Sequence, residues 1–424
     1  MVKTVIMGFG NRGSQYADLI QKNGRGEVAA VIDPRAEARA LAAEKFGISE
    51  NKLFASEDAF YRSGTAVTAA IIASSDKEHF AMTERALKSE LDVLVEKPIS
   101  PSEKECRKLD KLAEKTGRLV MVCHVLRYSL FYRKLWEIIK SGEIGDIVSV
   151  RQSESVAYWR GGRGDGHGHW ECRPHGYVRG PWAAAEKSGP MILTKSCHDL
   201  DILIALVGKK CLSVSSYGGL SYFRKENALS TAEYCGECPK KARERCPFDA
   251  YQIYGRHSGY IDGNRFDRRT YNEEALIRAI EANPKLSRCV FRCGNDVVDH
   301  QVVNLLFEDG VTAQFSMMSL AAKDNRKIVI NGTAGEISGD FEDSKICVMK
   351  LGKPIKEVNL KKASDEAGCH GGGDAGLIED FLACAEHKGR EDEWRTGLKE
   401  ALESHYIAFA AEESRLANGK EIKL

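Results

Sequence analysis

The sequence has almost no excess charge of either sign: 62 basic residues against 61 acidic ones leave a formal net charge of +1. No whole-molecule field would draw such a chain onto DNA, RNA or an anionic surface, so nucleic acid is not an expected partner. Uninterrupted apolar runs of 18 residues are also missing. The opening residues, Met1-Val-Lys-Thr-Val-Ile, lead straight into strand-like sequence without a basic segment and a longer apolar stretch. The expectation is therefore a cytoplasmic protein with no membrane attachment. Internal repeats, low-complexity tracts and long flexible linkers are absent as well. Nor is the chain poor in hydrophobic residues, which make up 43% of it beside 29% charged and 8% aromatic, so disorder is excluded. Thirteen cysteines, an odd number, are scattered over 424 residues. That is a poor basis for a disulfide framework, and most should be reduced and buried.

A chain of this length has room for two domains. Residues 1–123 alternate short apolar runs (4–7, 28–32, 69–73, 93–96 and 119–123) with amphipathic stretches near 12–22, 35–46, 76–88 and 102–115. Strict strand–helix alternation predicts a Rossmann-type α/β domain, a doubly wound parallel sheet with helices on both faces. Beyond it, segments 147–156, 212–217, 302–307, 311–317, 327–330 and 346–350 read as strands, several joined by turns such as Glu308-Asp309-Gly310 and Asn331-Gly332. Residues 124–424 are accordingly expected to form an α+β domain on a largely antiparallel sheet, with insertions near 158–190 and 222–296.

Gly8-Phe9-Gly10-Asn11-Arg12-Gly13 follows a predicted strand and opens a predicted helix, the context that a dinucleotide fingerprint requires. Gly8 would make the tight turn, Gly10 would let the pyrophosphate approach the backbone, and Gly13 would pack helix on strand. Asp33 ends the second strand 20 residues after Gly13, placed to bond adenine-ribose hydroxyls and to repel a 2′-phosphate. NAD is favoured, although Arg35 could accept that phosphate, which keeps NADP open. Glu96-Lys97-Pro98 lies at the carboxyl end of a predicted parallel strand, the edge where open α/β sheets bind ligands. An X-Pro bond there can adopt the cis form.

Taken in order, the glycine motif, Asp33, Glu96-Lys97-Pro98, Gly142-Glu143-Ile144-Gly145 and His198 with Asp201 resemble the Gfo/Idh/MocA family of NAD(P)-dependent oxidoreductases. The resemblance implies a Rossmann domain followed by an open-faced sheet domain that holds a sugar, polyol or related substrate and makes a homodimer or homotetramer contact. It also implies that Lys97 touches substrate hydroxyl and nicotinamide ribose, and that His198 is an acid/base or substrate-binding group. Arg127-Tyr128 resembles the family's Arg-aromatic pair, a substrate position. Ser74 and His79, in Ser74-Ser75-Asp76-Lys77-Glu78-His79, resemble its nicotinamide-side segment. One departure stands out. Where the family commonly has Asp-x-x-x-His, this chain has Thr194-Lys195-Ser196-Cys197-His198, so a cation, Lys195, is expected beside the substrate in place of an anion.

Two more segments could hold substrate: Cys369-His370-Gly371-Gly372-Gly373-Asp374, through His370 and its glycines, and Gly166-His167-Gly168-His169-Trp170-Glu171 with His175 and Trp182. Cys235 and Cys238 have the spacing of two zinc ligands. Cys246 could be a third, and Cys289, Cys293 or His257 a fourth, for a structural zinc. A redox-sensitive pair and reduced core thiols are the competing readings.

The expected activity is hydride transfer between the nicotinamide cofactor and a sugar or polyol hydroxyl, with Lys97 and His198 as catalytic groups. A redox-neutral, NAD-dependent glycoside hydrolase working by transient oxidation and elimination is the alternative. Accumulating NADH separates the two.

Overall fold

The computed structural model describes residues 1–156, 176–252, 259–261, 264–266, 272–282, 284–321, 324–360, 371–387 and 394–424. The segments holding His257, His370, Cys369, residues 166–171 and His175 lie outside the described residues.

Six strands form the first sheet: β1 Val2–Met7, β2 Gly26–Ile32, β3 Leu53–Phe54, β4 Ala69–Ile72, β5 Asp92–Val95 and β6 Val120–Val122. Their order is β3-β2-β1-β4-β5-β6, every pair parallel. That order defines a Rossmann sheet, whose ligand crevice lies where it reverses, between β1 and β4. The strands are uniformly apolar because both faces are covered. Neighbouring residues Val5 and Ile6 enter opposite cores. On one face lie α1 Asn11–Asn23 and α2 Ala36–Phe46; on the other lie α3 Glu57–Ser63, α4 His79–Lys88 and α5 Glu103–Thr116. After β6 come α6 Leu130–Lys140 and the buried α7 Cys197–Val207.

Two late helices complete these cores. In α8, Gly373–His387, the residues Leu377, Ile378, Phe381 and Leu382 pack with Tyr16, Ala17 and Ile20. In α9, Leu398–Leu416, the residues Leu398, Ala401 and Leu402 join Val93, Val95 and Ile99. The compact units are therefore discontinuous in sequence. One comprises Met1–Val148, Cys197–Lys210 and Ile330–Phe409; the other comprises Ser149–Ser196, Cys211–Val329 and Ala410–Leu424.

The remaining strands are β7 Ile147–Ser155, β8 Cys211–Gly219, the small hairpin β9 Gly259–Ile261 and β10 Asn264–Phe266, then β11 His300–Phe307, β12 Thr312–Met318, β13 Asn325–Gly332, β14 Gly335–Asp340, β15 Lys345–Lys350, β16 Lys356–Asn359 and β17 Ile422–Lys423. All except β9 and β10 belong to a nine-stranded sheet. Its β11–β12, β11–β8, β14–β15 and β17–β8 pairs are antiparallel, and β12–β7 is parallel. Along β11 buried and exposed residues alternate without exception from Gln301 to Phe307, the signature of a sheet with one covered face and one open face. Among the described residues, no helix is long and apolar enough to cross a membrane.

Candidate active site

The glycine motif is the turn from β1 into α1. Gly8 has φ +90°, and a Cβ there would stand 2.7 Å from the Ala73 carbonyl oxygen. At Gly13 a Cβ would stand 2.0 Å from the Gly8 carbonyl oxygen, so helix and strand approach as closely as only glycine permits. Gly10 differs: the nearest atom to its added Cβ is Nη2 of Arg35, at 4.0 Å. The protein leaves space beside Gly10, and no side chain caps the start of α1. Open space and unclaimed helix N–H groups fit a dinucleotide pyrophosphate. Phe9 turns into the core against Phe46, and Asn11 stays exposed.

Asp33 is buried and accepts hydrogen bonds from the amides of Phe9 and Arg35 and from the Arg35 guanidinium. Burial pushes its carboxyl up, but these hydrogen bonds and the Arg35 charge outweigh it and hold the group below its ordinary value.

Arg12 leaves the motif to bind Glu96 (Nε to Oε1, 2.7 Å) and Asp374 (Nη2 to Oδ1, 2.5 Å), and it also touches Tyr16. The Tyr16 hydroxyl donates to Glu96 at 2.6 Å. Burial disfavours the Glu96 carboxylate, yet Arg12, Lys97 and these hydrogen bonds prevail and bring it down to about 2. Asp374 is fully buried beneath Arg12, so the glycine-rich segment that ends there contributes a strut between α8 and the fingerprint.

Lys97 is half-buried directly after β5, and its bond to Pro98 is cis. Its backbone amide donates to Glu96. Its ammonium is near enough to disfavour protonation of His124 and His405 and to favour ionisation of Cys197. His198, on α7, meets His124 edge-on with ring centroids 5.6 Å apart, and His124 meets His405 at 5.9 Å. Lys97 and the start of α7 are thus in one neighbourhood. His124 is fully buried, and among the described residues neither of its ring nitrogens has a hydrogen-bond partner. Burial chiefly lowers it to about 4, and burial followed by His124 lowers His405 to about 3.

Arg127 and Asp201, expected from the resemblance at the substrate, are paired with each other. They bind each other in a two-pronged pair, Nε to Oδ2 at 2.7 Å and Nη2 to Oδ1 at 2.6 Å, with both side chains buried. Arg127 also donates to the Arg395 carbonyl. A desolvated guanidinium needs such a partner, and the pair ties α7 to the turn after β6. Tyr128 directs its hydroxyl to Asp380 and Thr396. His79 is buried, with Nδ1 2.7 Å from the Pro98 carbonyl oxygen and Nε2 3.2 Å from that of Ser74.

In the other unit, Lys195 and Arg326 both bind Oε1 of the buried Glu154 on β7. The cation that replaces the family's usual acid is therefore met by a carboxylate from a strand. Trp182 stacks on Tyr177. The cysteine cluster gives the zinc reading no support: among the described residues, no three His, Cys, Asp or Glu side chains gather to hold a metal. Cys238 bonds Ser230, Cys293 donates to the Cys289 carbonyl, and Cys235 accepts the Ala250 amide while packing with Ile280 and Leu286. Burial pushes the Cys246 and Cys293 thiols up to about 11, which suits reduced core thiols.

His124, His405, Tyr16 and Glu154 were missed from sequence. His124 ends a strand at the ligand edge of the sheet, a usable signal. His405 lies 306 residues from the backbone amide it binds, and nothing local marks it.

Comparison with known proteins places the fold in a family. Residues 2–124 match the model of the oxidoreductase family with NAD-binding Rossmann fold, and residues 137–424 match that family's C-terminal alpha/beta domain. The chain belongs to the Gfo/Idh/MocA family and is an NAD-linked oxidoreductase. It is 24% identical over 371 residues to YteT of Bacillus subtilis, named as an oxidoreductase, covering 84% of this chain and 82% of that protein. It is 26% identical over 212 residues to inositol 2-dehydrogenase of Corynebacterium glutamicum, covering 49% of this chain and 55% of that one. Among solved structures, an oxidoreductase from Agrobacterium radiobacter in complex with NAD+, L-tartaric acid and magnesium superposes with TM-score 0.70 at 16% identity, covering 100% of this chain and 98% of that chain. An inositol dehydrogenase homolog with NAD+ from Azotobacter vinelandii gives 0.69 at 12% identity, covering 100% and 97%. At these identities the structures share the fold.

Proposed function

We propose that the protein is an NAD-dependent dehydrogenase of a polyol or sugar-like substrate, acting on a CH–OH group. The observation that carries this reading is Lys97, half-buried at the carboxyl end of β5 in one electrostatic neighbourhood with His124 and the start of α7. The names of the inositol 2-dehydrogenase relatives point to the same substrate chemistry. NAD supplies the hydride acceptor. In its neutral form, Lys97 Nζ takes the hydroxyl proton as the carbon–oxygen double bond forms, and His198 bonds the same or a neighbouring hydroxyl. Arg12 and Tyr16 keep the Glu96 carboxylate beside Lys97.

The test is absorbance at about 340 nm, where reduced nicotinamide absorbs, with NAD and a panel of inositols, sugars, polyols and glycosides. NADH should accumulate with a polyol or sugar. Lys97→Met should lower kcat by roughly 10²–10⁴-fold, the usual worth of a positioned acid/base, with NAD affinity retained. Near-normal turnover in that variant removes the assigned role, and aglycone release without NADH overturns the dehydrogenase.

The open sheet face presents Leu212, Tyr217, Val302, Leu306 and Met318 to solvent. Apolar side chains on an open sheet face favour a homodimer or homotetramer. Light scattering on the protein and on Leu306→Asp checks this, a monomer in both being the adverse result.

A further inference from the structure

The peptide group between Pro98 and Ile99 is held at both of its polar atoms by imidazoles from two different helices. Its carbonyl oxygen accepts from Nδ1 of His79, at the start of α4, at 2.7 Å. Its N–H donates to Nε2 of His405, on α9, at 3.0 Å. Both rings are buried. A peptide just beyond a strand end has lost its ladder partners, and a buried one must find others; here the next residue toward the N-terminus is Lys97.

The protonation pattern of His405 follows from what surrounds it. An amide N–H can only donate, so Nε2 carries the lone pair. Nδ1 therefore carries the proton, and it faces the Ala401 carbonyl oxygen at 2.9 Å, which can only accept. The ring is fixed in a single neutral tautomer by one backbone group on each side. The neutral imidazole thus holds the backbone next to Lys97 without placing a further charge there.

We propose that His405 is a positioning residue for Lys97: by gripping the Ile99 amide opposite His79, it sets where the Lys97 side chain leaves the end of β5. The proposal rests on the reading of Lys97 as the proton-transfer group, and its test reads Lys97 without counting turnover.

The full-length protein is labelled with trace acetic anhydride from about pH 6 to about pH 10, and acetylation at Lys97 is compared by mass spectrometry with that at the exposed Lys353. His405→Leu removes the acceptor. His405→Gln offers a carboxamide oxygen to the same amide. In His405→Leu the Lys97 profile should move, its labelling rate near neutral pH changing by about threefold or more while Lys353 stays as in the wild type. His405→Gln should return it to within about twofold of the wild type. Lys97 labelling that is unchanged in His405→Leu, or no better in His405→Gln, overturns the proposal. Should the leucine variant fail to fold, the wild type decides the question. A nitrogen–nitrogen coupling across the bond between the Ile99 amide and His405 Nε2, sought by NMR in deuterated, 15N-labelled protein, supports the grip, and its absence overturns it. Retained turnover in Lys97→Met would remove the proton-transfer role of Lys97 and leave the labelling result standing.

Discussion

Arg35 chelates Asp33: its guanidinium Nε lies 3.0 Å from Oδ1 and its Nη2 2.9 Å from Oδ2. The amides of Arg35 and Phe9 add bonds of 2.9 and 2.8 Å. Four donors fill the roughly four lone-pair sites of a carboxylate. Ribose hydroxyls must therefore displace Arg35 to reach Asp33, and the displaced guanidinium becomes available to a 2′-phosphate. Arg35→Ala should tighten NAD about threefold to tenfold and weaken NADP by at least about tenfold, the scale of one charge-assisted contact. Fluorescence titration with each dinucleotide measures both. A variant that weakens NAD would show that Arg35 assists the adenosine and does not compete with it.

The last two glycines of the fingerprint should fail in different ways. A Cβ at Gly13 collides with backbone at 2.0 Å, whereas one at Gly10 meets only the far end of Arg35 at 4.0 Å. Gly13→Ala is expected to cost about 1–3 kcal/mol or more through overpacking. Gly10→Ala should leave the melting temperature nearly unchanged yet lower NAD affinity at least about tenfold, because the methyl would enter the space assigned to the pyrophosphate. Calorimetry and NAD titration on both variants separate folding from binding. Unchanged NAD affinity in Gly10→Ala would move the pyrophosphate elsewhere.

The Rossmann sheet was legible because its strands are continuous apolar runs and its glycines carry constraints visible in one dimension. Strand β3 was not, since Leu53 and Phe54 are too short a run to show a period. The burial of the helix over Gly373–His387 against α1 was not legible either, because periodicity reports an apolar face without naming its partner. The same limit explains the site. Lys97 and His198 sit in motifs, whereas the coupling of Arg127 to Asp201 joins residues 74 apart in the chain. Sequence offers each as a polar group, and the fold adds that they bind each other. The cysteines show the same limit, since Cys-x-x-Cys spacing permits a shared metal and does not require one.

Glu96 makes a prediction about acid. Its folded-state value of about 2 lies below the ordinary 4.5, so its contribution is fully present above about pH 4.5 and is lost as pH falls toward about 2. That contribution is on the order of 3 kcal/mol for a buried carboxylate so shifted. Glu96→Gln should flatten the stability profile between those limits, read from denaturation midpoints across the range. Arg12→Met should be worse at neutral pH, by about 3–5 kcal/mol, because it strands Glu96 and Asp374 without their shared cation. Equal stability of Arg12→Met and wild type at pH 7 would refute the strut.

His124 makes the opposite kind of prediction, since removing it should help folding. The neutral ring buries a donor and an acceptor that no described residue satisfies, at a cost of about 1–3 kcal/mol for each such group. Its value of about 4 lies below the ordinary 6.5. The unfolded chain therefore takes up a proton that the folded one refuses: stability is full above about pH 6.5 and drains away as pH falls toward about 4, at about 1.4 kcal/mol per pH unit. His124→Leu removes both penalties with a side chain that suits an apolar site. It should match or exceed the wild type at pH 8, and its advantage should grow by about 2 kcal/mol at pH 5, measured by urea denaturation at the two values. A variant less stable at pH 8, with no widening at pH 5, would mean that an internal water satisfies the ring. The burial of an imidazole between His198 and His405 would then have a direct cause, and the site beside Lys97 would be wet.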